Sequence, residues 1–121
     1  MNLSNIFKAQ SVVLIINGIG GLFLTTAFFG SAGWEITPDL ITLGQFVGMT
    51  FLVIAVWSWR IPDVVGDSLK SMGMLFAIGG LLWTLIIGYH ILMGAVAGPT
   101  AYVNIILTAV FAIGFYFYSR D

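Results

Sequence analysis

Cysteine is absent from the 121 residues. That excludes disulfides, thiolate zinc sites, iron–sulfur ligation and cysteine nucleophiles together. Charge is scarce as well: Asp, Glu, Lys and Arg make up 7% of the chain, against roughly 25% in a soluble domain. With a net charge of −1, no basic face offers itself to nucleic acid. His90 is the only histidine, so it cannot supply both axial ligands of a bis-histidine haem, and the five methionines show no matching arrangement. A single axial ligand to a chlorophyll-type pigment is the one cofactor role of that kind left to it. No paired carboxylates, Ser–His–Asp set, phosphate loop or metal-ligand spacing occurs. The run GIGG at 18–21 follows no strand, so it reads as packing glycine and not as a nucleotide fingerprint. These absences predict no metal, no cofactor and no enzyme, with a membrane enzyme or pigment-binding subunit as a third-ranked reading.

What the chain does have is apolar surface, with 60% hydrophobic residues and a mean hydropathy of +1.07. So small a protein keeps much of its area exposed and could not hide this from water. The remaining solvent is lipid. Apolar runs at about 11–29, 40–59, 71–93 and 100–118 hold no Asp, Glu, Lys or Arg. Each is roughly 19–23 residues, or ~29–35 Å as helix, enough for a ~30 Å hydrocarbon core. Backbone polar groups must satisfy themselves in lipid, so these runs are helices. The expectation is a single all-α domain over 1–121, a membrane-spanning antiparallel four-helix bundle.

The boundaries carry their own signals. Thr37, Pro38 and Asp39 supply an N-cap, a first-turn proline and a dipole-compatible charge. Asp67 or Ser68 is placed to cap the third helix, and Pro99 to start the fourth. Connections this short make consecutive helices antiparallel neighbours. Lys8, Arg60, Lys70 and Arg120 all flank one side, whereas Glu35 and Asp39 lie on the other. The positive-inside rule then places both termini in the cytoplasm of a cell inner membrane. Trp57, Trp59, Tyr116 and Tyr118 fall at the inner interface, and Trp34, Tyr89 and Tyr102 at the outer. The N-terminal run is longer than the 7–15-residue core of a signal peptide and reads as the first helix.

Function hinges on the stretch IIGYHILMG, residues 86–94, which holds His90. At 100° per residue, Trp83, Gly79, Phe76 and Met72 share its face. Leu75, Ile78, Leu82, Leu85, Tyr89 and Leu92 form a lipid face, and Gly73, Ala77, Gly80, Thr84 and Gly88 a small-residue stripe suited to close helix approach. His90 therefore faces protein. Thr25, Thr26, Gln45 and Asn104 reach a similar depth from the other helices, with Asn17 deeper and Trp83 two turns below as a floor. A buried carboxylate, which a proton-coupled exchanger needs, is missing; the first helix offers Asn17 alone.

Three roles fit this polar layer. Its members bond one another and glue the helices; or they line an outer-leaflet pocket for a lipophilic small molecule, lipid or quinone, with His90, Gln45, Asn104, Thr25, Trp83 and Glu35 as candidates; or they meet another membrane protein or a second copy. Glu35 reads as an exposed loop carboxylate, with an acid–base partnership with His90 as the alternative. The Gly44/Gly48 spacing is read as packing within one chain.

The glycine-rich first helix INGIGGLF, a proline-started second helix opening on GQFVG and a short basic loop before the third helix resemble the DoxX-like family of small four-helix membrane proteins. That family often carries a glutamate three residues before the glycine, where this chain has Gln45 ahead of Gly48. The resemblance implies a four-helix bundle and, in some members, partnership with larger membrane or redox assemblies. The leading expectation is accordingly a non-catalytic accessory or scaffold subunit in the lipid bilayer, with the lipophile-binding protein as the alternative.

Overall fold

The computed structural model describes residues 2–120. It contains α1 (Leu3–Phe23), α2 (Thr25–Gly30), α3 (Pro38–Val64), α4 (Leu69–Leu92) and α5 (Pro99–Ser119). Among the described residues no strand forms, and α1, α3, α4 and α5 are each long and apolar enough to cross a membrane. The four-helix membrane fold expected from hydropathy is therefore the one observed.

Several boundaries move. The first span begins at Leu3 and not at 11, because the Asn2 side chain accepts the Asn5 N–H at 2.9 Å and starts the helix early. Lys8 is consequently inside α1 and not ahead of it. The same span breaks at Leu24, and α2 continues from there. The Phe28 ring folds back over Gly20, at a spot where a Cβ would meet it at 2.7 Å. The second span runs on to Val64 past Pro62, and a short 3₁₀ turn, Gly66–Ser68, carries the chain into α4. Ser68 takes the N-cap position of α4 without a side-chain cap bond. Thr37 caps α3 by accepting the Leu40 N–H at 3.2 Å, and Pro99 opens α5, as their positions predict.

Two pairs of helices pack tightly. In the α1–α3 pair, glycines replace side chains so that backbones touch: a Cβ on Gly48 would lie 2.6 Å from Leu22 N and 2.8 Å from Gly18 O. Two buried hydroxyls staple the same seam, Ser11 donating to Ala55 O and Ser58 to Phe7 O, each at 2.7 Å. In the α4–α5 pair, the small-residue stripe of α4 meets its neighbour as expected. A Cβ on Gly80 would sit 2.9 Å from that of Ala112, and the Thr84 hydroxyl meets that of Thr108 at 3.1 Å. Gly44 and Gly48 are thus consumed inside one chain.

The two pairs meet chiefly at their ends, with a ring contact of Phe51 and Trp83 between them at mid-depth. At the basic end Phe7 lies between Phe76 and Phe115, with ring centroids at 4.9 and 4.8 Å, and Leu3, Ile6, Ile61 and Ala77 fill around them. Lys8 and Arg60 both reach Asp63 there, at 3.6 and 3.7 Å, and Lys8 also stacks over Trp59. At the opposite end the two loops touch, Ala97 N–H donating to Ala32 O at 2.8 Å. Between these clasps α3 and α4 diverge, although they are consecutive and joined by a short turn. The expectation that every consecutive pair packs as neighbours fails at this step.

Candidate functional site: an intramembrane cleft

The divergence opens a cleft of about 990 Å³, at the upper end of the ~300–1,000 Å³ range of ligand pockets. Each long helix contributes one edge, apolar except for Asn17. Val13, Leu14 and Asn17 come from α1, Val47, Phe51 and Ile54 from α3, Phe76 and Gly79 from α4, and Leu107, Phe111 and Ala112 from α5. Most of these positions stand three, four or seven residues apart, so each set lies along one face of its helix. Gly79 has no atom within 4 Å of where its Cβ would be, so its face is open space.

The cleft opens sideways. The α1 and α5 residues lining it are buried or half-buried, whereas Leu43, Trp57 and Val64 on α3 and Leu75, Trp83 and Ile86 on α4 line it and are exposed as well. Those two rows are the rims of a window between α3 and α4. In a bilayer that window faces acyl chains. Phe51 and Trp83 approach each other across it at mid-depth, 6.2 Å between ring centroids.

Polar residues line the cleft at both ends, Gln10 and Arg60 at the basic end and His90, Thr100 and Asn104 at the loop end, with Asn17 and Thr108 between. His90, in the last turn of α4, is half-buried and lines the cleft. Its ring stands edge-on to Tyr89 at 5.2 Å, and its nitrogens take no hydrogen bond from the described residues. Asn104 lies five residues into α5, or ~7 Å from its start. Its Nδ2 donates to Thr100 O at 2.8 Å, which leaves Oδ1 and a second N–H for another partner. Thr108 extends the polar lining inward; it and Thr84 behind it lean on their own helices, through Ile105 O and Gly80 O. Arg60 is the one cationic side chain lining the cleft, and it lies at the far end.

The six candidate residues do not converge. His90, Asn104 and Trp83 line the cleft. Gln45 does not: it is exposed on the outside of α3, one residue past the Gly44 seam. Thr25 is buried in the α1–α3 packing, its hydroxyl donated to Gly21 O at 2.7 Å. Glu35 is exposed on the loop and lines an outer recess next to His90. The polar layer is therefore no hydrogen-bonded network, and Trp83 sits against Phe51 instead of flooring it. Composition missed Phe28, Phe29, Phe51 and Leu107 as lining residues; the i, i+4, i+7 spacing of Val47, Phe51 and Ile54 is the signal that marks such a face. Among the described residues no three His, Asp or Glu side chains gather as a metal site would require.

No protein-family model, curated protein or solved structure matches the chain.

Proposed function

We propose that this protein binds a neutral-headed lipophile, a lipid or quinone, within the membrane. The observation that carries the reading is the α3–α4 window onto a largely apolar cleft that has His90, Thr100 and Asn104 at its loop end and Gln10 and Arg60 at the other. An apolar body enters sideways from the bilayer, where no water has to be displaced. Its head lies against His90 and Asn104, which offer both donors and acceptors. A charged head at this depth would need a countercharge, and the cationic lining residue, Arg60, is at the other end. A carbonyl or hydroxyl head fits. The positive-inside rule assigns the basic end to the cytoplasm of an inner membrane and the His90 end to the outer leaflet. The accessory-subunit reading that accompanies the DoxX-like resemblance is compatible with this role, since a subunit can deliver a lipophile to its assembly.

The test is saturable quenching of tryptophan fluorescence by a short-tailed benzoquinone, with the purified protein in lipid nanodiscs. Trp83 and Trp57 line the cleft and report its occupancy. Asn104→Leu and His90→Leu each remove one head-group contact and should weaken binding by roughly tenfold, because a lost hydrogen bond costs ~1–1.5 kcal/mol. Folding should change little, since Asn104 bonds only its own helix. Quenching that never saturates, or that both variants leave untouched, rules this site out.

A further inference from the structure

The cleft does not end at the imidazole. A second recess of about 440 Å³ opens beyond it, between the two loops, and is lined by Gly33, Glu35 and Ala95 together with Trp34, Leu40, Val96 and His90. Those last four line the intramembrane cleft as well. The two spaces therefore share these four residues as a common wall.

That wall is assembled from local backbone structure. The His90 carbonyl accepts the N–H of Ala95 at 2.9 Å and of Val96 at 3.3 Å, which folds the loop back over the end of α4 and brings Val96 into the same lining as His90. Trp34 donates its N–H to Phe29 O at 3.3 Å and lays its ring near that of Phe29, 5.8 Å between centroids. Leu40 is held by the Thr37 cap. Gly33 and Gly98, at φ 83° and 102°, make the turns that bring the loops together, and a side chain at Gly98 would strike Ser31 O. No helix crosses the gap. One backbone hydrogen bond, Ala97 N–H to Ala32 O, joins the loops over it.

We propose that this wall is a passage, and that the protein presents the head of its bound lipophile to the aqueous phase. The tail stays in the cleft, the head lies at His90, and a small water-soluble molecule meets it from the recess. Glu35 is the one charged residue lining that recess, so the visitor is neutral or cationic. This rests on the lipophile-binding reading and adds a second, water-facing access to the same site.

The absence of cysteine makes the test clean. Ala95→Cys, at a position that lines the recess and not the cleft, is prepared in nanodiscs and loaded with a palmitoyl chain carrying a nitroxide at its head end. Relaxation of the motionally restricted, bound nitroxide by a neutral water-soluble nickel chelate is measured before and after the introduced thiol is capped with a bulky thiosulfonate. The same folded sample then serves as its own control. The expected result is strong nickel relaxation before capping, reduced several-fold afterwards, with the amount of bound probe unchanged. A bound nitroxide already screened from nickel, or one whose relaxation survives capping, overturns the passage and leaves binding intact. If no restricted nitroxide is found at all, the lipophile-binding reading falls and the passage with it.

Discussion

The α1–α3 seam and the α3–α4 gap are built from the same kind of residue to opposite ends. On the seam, Gly21 and Gly48 leave backbone against backbone, while Gly18 makes room for Leu52 and Gly44 for Phe29 and Thr25. Across the gap, Gly79 removes a side chain that nothing replaces. In lipid, apolar surface alone does not drive helices together, because acyl chains solvate it equally well. Close packing and hydrogen bonds remain, and α1–α3 has both in Gly48 and the Ser11 and Ser58 staples. The α3–α4 rims have bulky side chains, Leu43, Trp57, Leu75 and Trp83, and no bond between them. One pair closes and the other stays apart for that reason.

The sharpest way to break the comparison is to fill both sites with the same side chain. Gly48→Leu drives a Cβ into the backbone at Leu22 and Gly18, which cannot move without opening the seam. The expected cost is at the top of the ~1–3 kcal/mol overpacking range or beyond it, read as a lowered midpoint of unfolding in mixed detergent micelles.

Next in size is Phe7→Ala, which empties the clasp between the pairs. The water-transfer part of the usual ~3–5 kcal/mol is absent when the alternative is lipid, so about 2 kcal/mol of lost packing is expected. The two pairs should also separate at the basic end. Distance measurements between spin labels on α1 and α5 would show it, and unchanged distances would mean that the loop contact at Ala32 and Ala97 suffices.

Smallest of all is Gly79→Leu. Nothing stands in its way, and leucine is the better helix former, so stability should stay level or rise by up to about 0.8 kcal/mol. Benzoquinone binding should nevertheless fall, because the new side chain occupies the cleft. A large stability loss here would show that the gap is packed and the comparison false.

The pattern of small residues on α4 makes its partner face readable from spacing alone: Gly73, Ala77, Gly80, Thr84 and Gly88 form one stripe, and Gly80 and Thr84 meet Ala112 and Thr108 on α5. The caps at Thr37 and Pro99 are equally legible, because each acts within its own turn. Gln45 is not. It borders the Gly44/Gly48 stripe, and a border residue on a helix lies 100° from its neighbour, enough to turn it from the seam to the outside. The early start of α1 escapes a hydropathy reading because Lys8 looks like a boundary, although an N-terminal turn can carry a lysine to the interface. The cleft itself depends on how widely two faces separate, a property of the whole assembly that no single helix encodes.

The window between α3 and α4 has a thermodynamic consequence. Because the cleft is open to the bilayer, every lipid in the leaflet competes for it. The tail of a cargo molecule then gains nothing over its neighbours, being equally at ease in either place. Preference arises at the head alone. Intramembrane hydrogen bonds of ~0.6–1.7 kcal/mol correspond to selection by roughly threefold to twentyfold. Occupancy is set by the mole fraction of cargo in the membrane, and diluting the sample with buffer leaves it unchanged, whereas diluting it with lipid empties the cleft. A protein built this way suits a lipophile that is already a substantial component of its membrane.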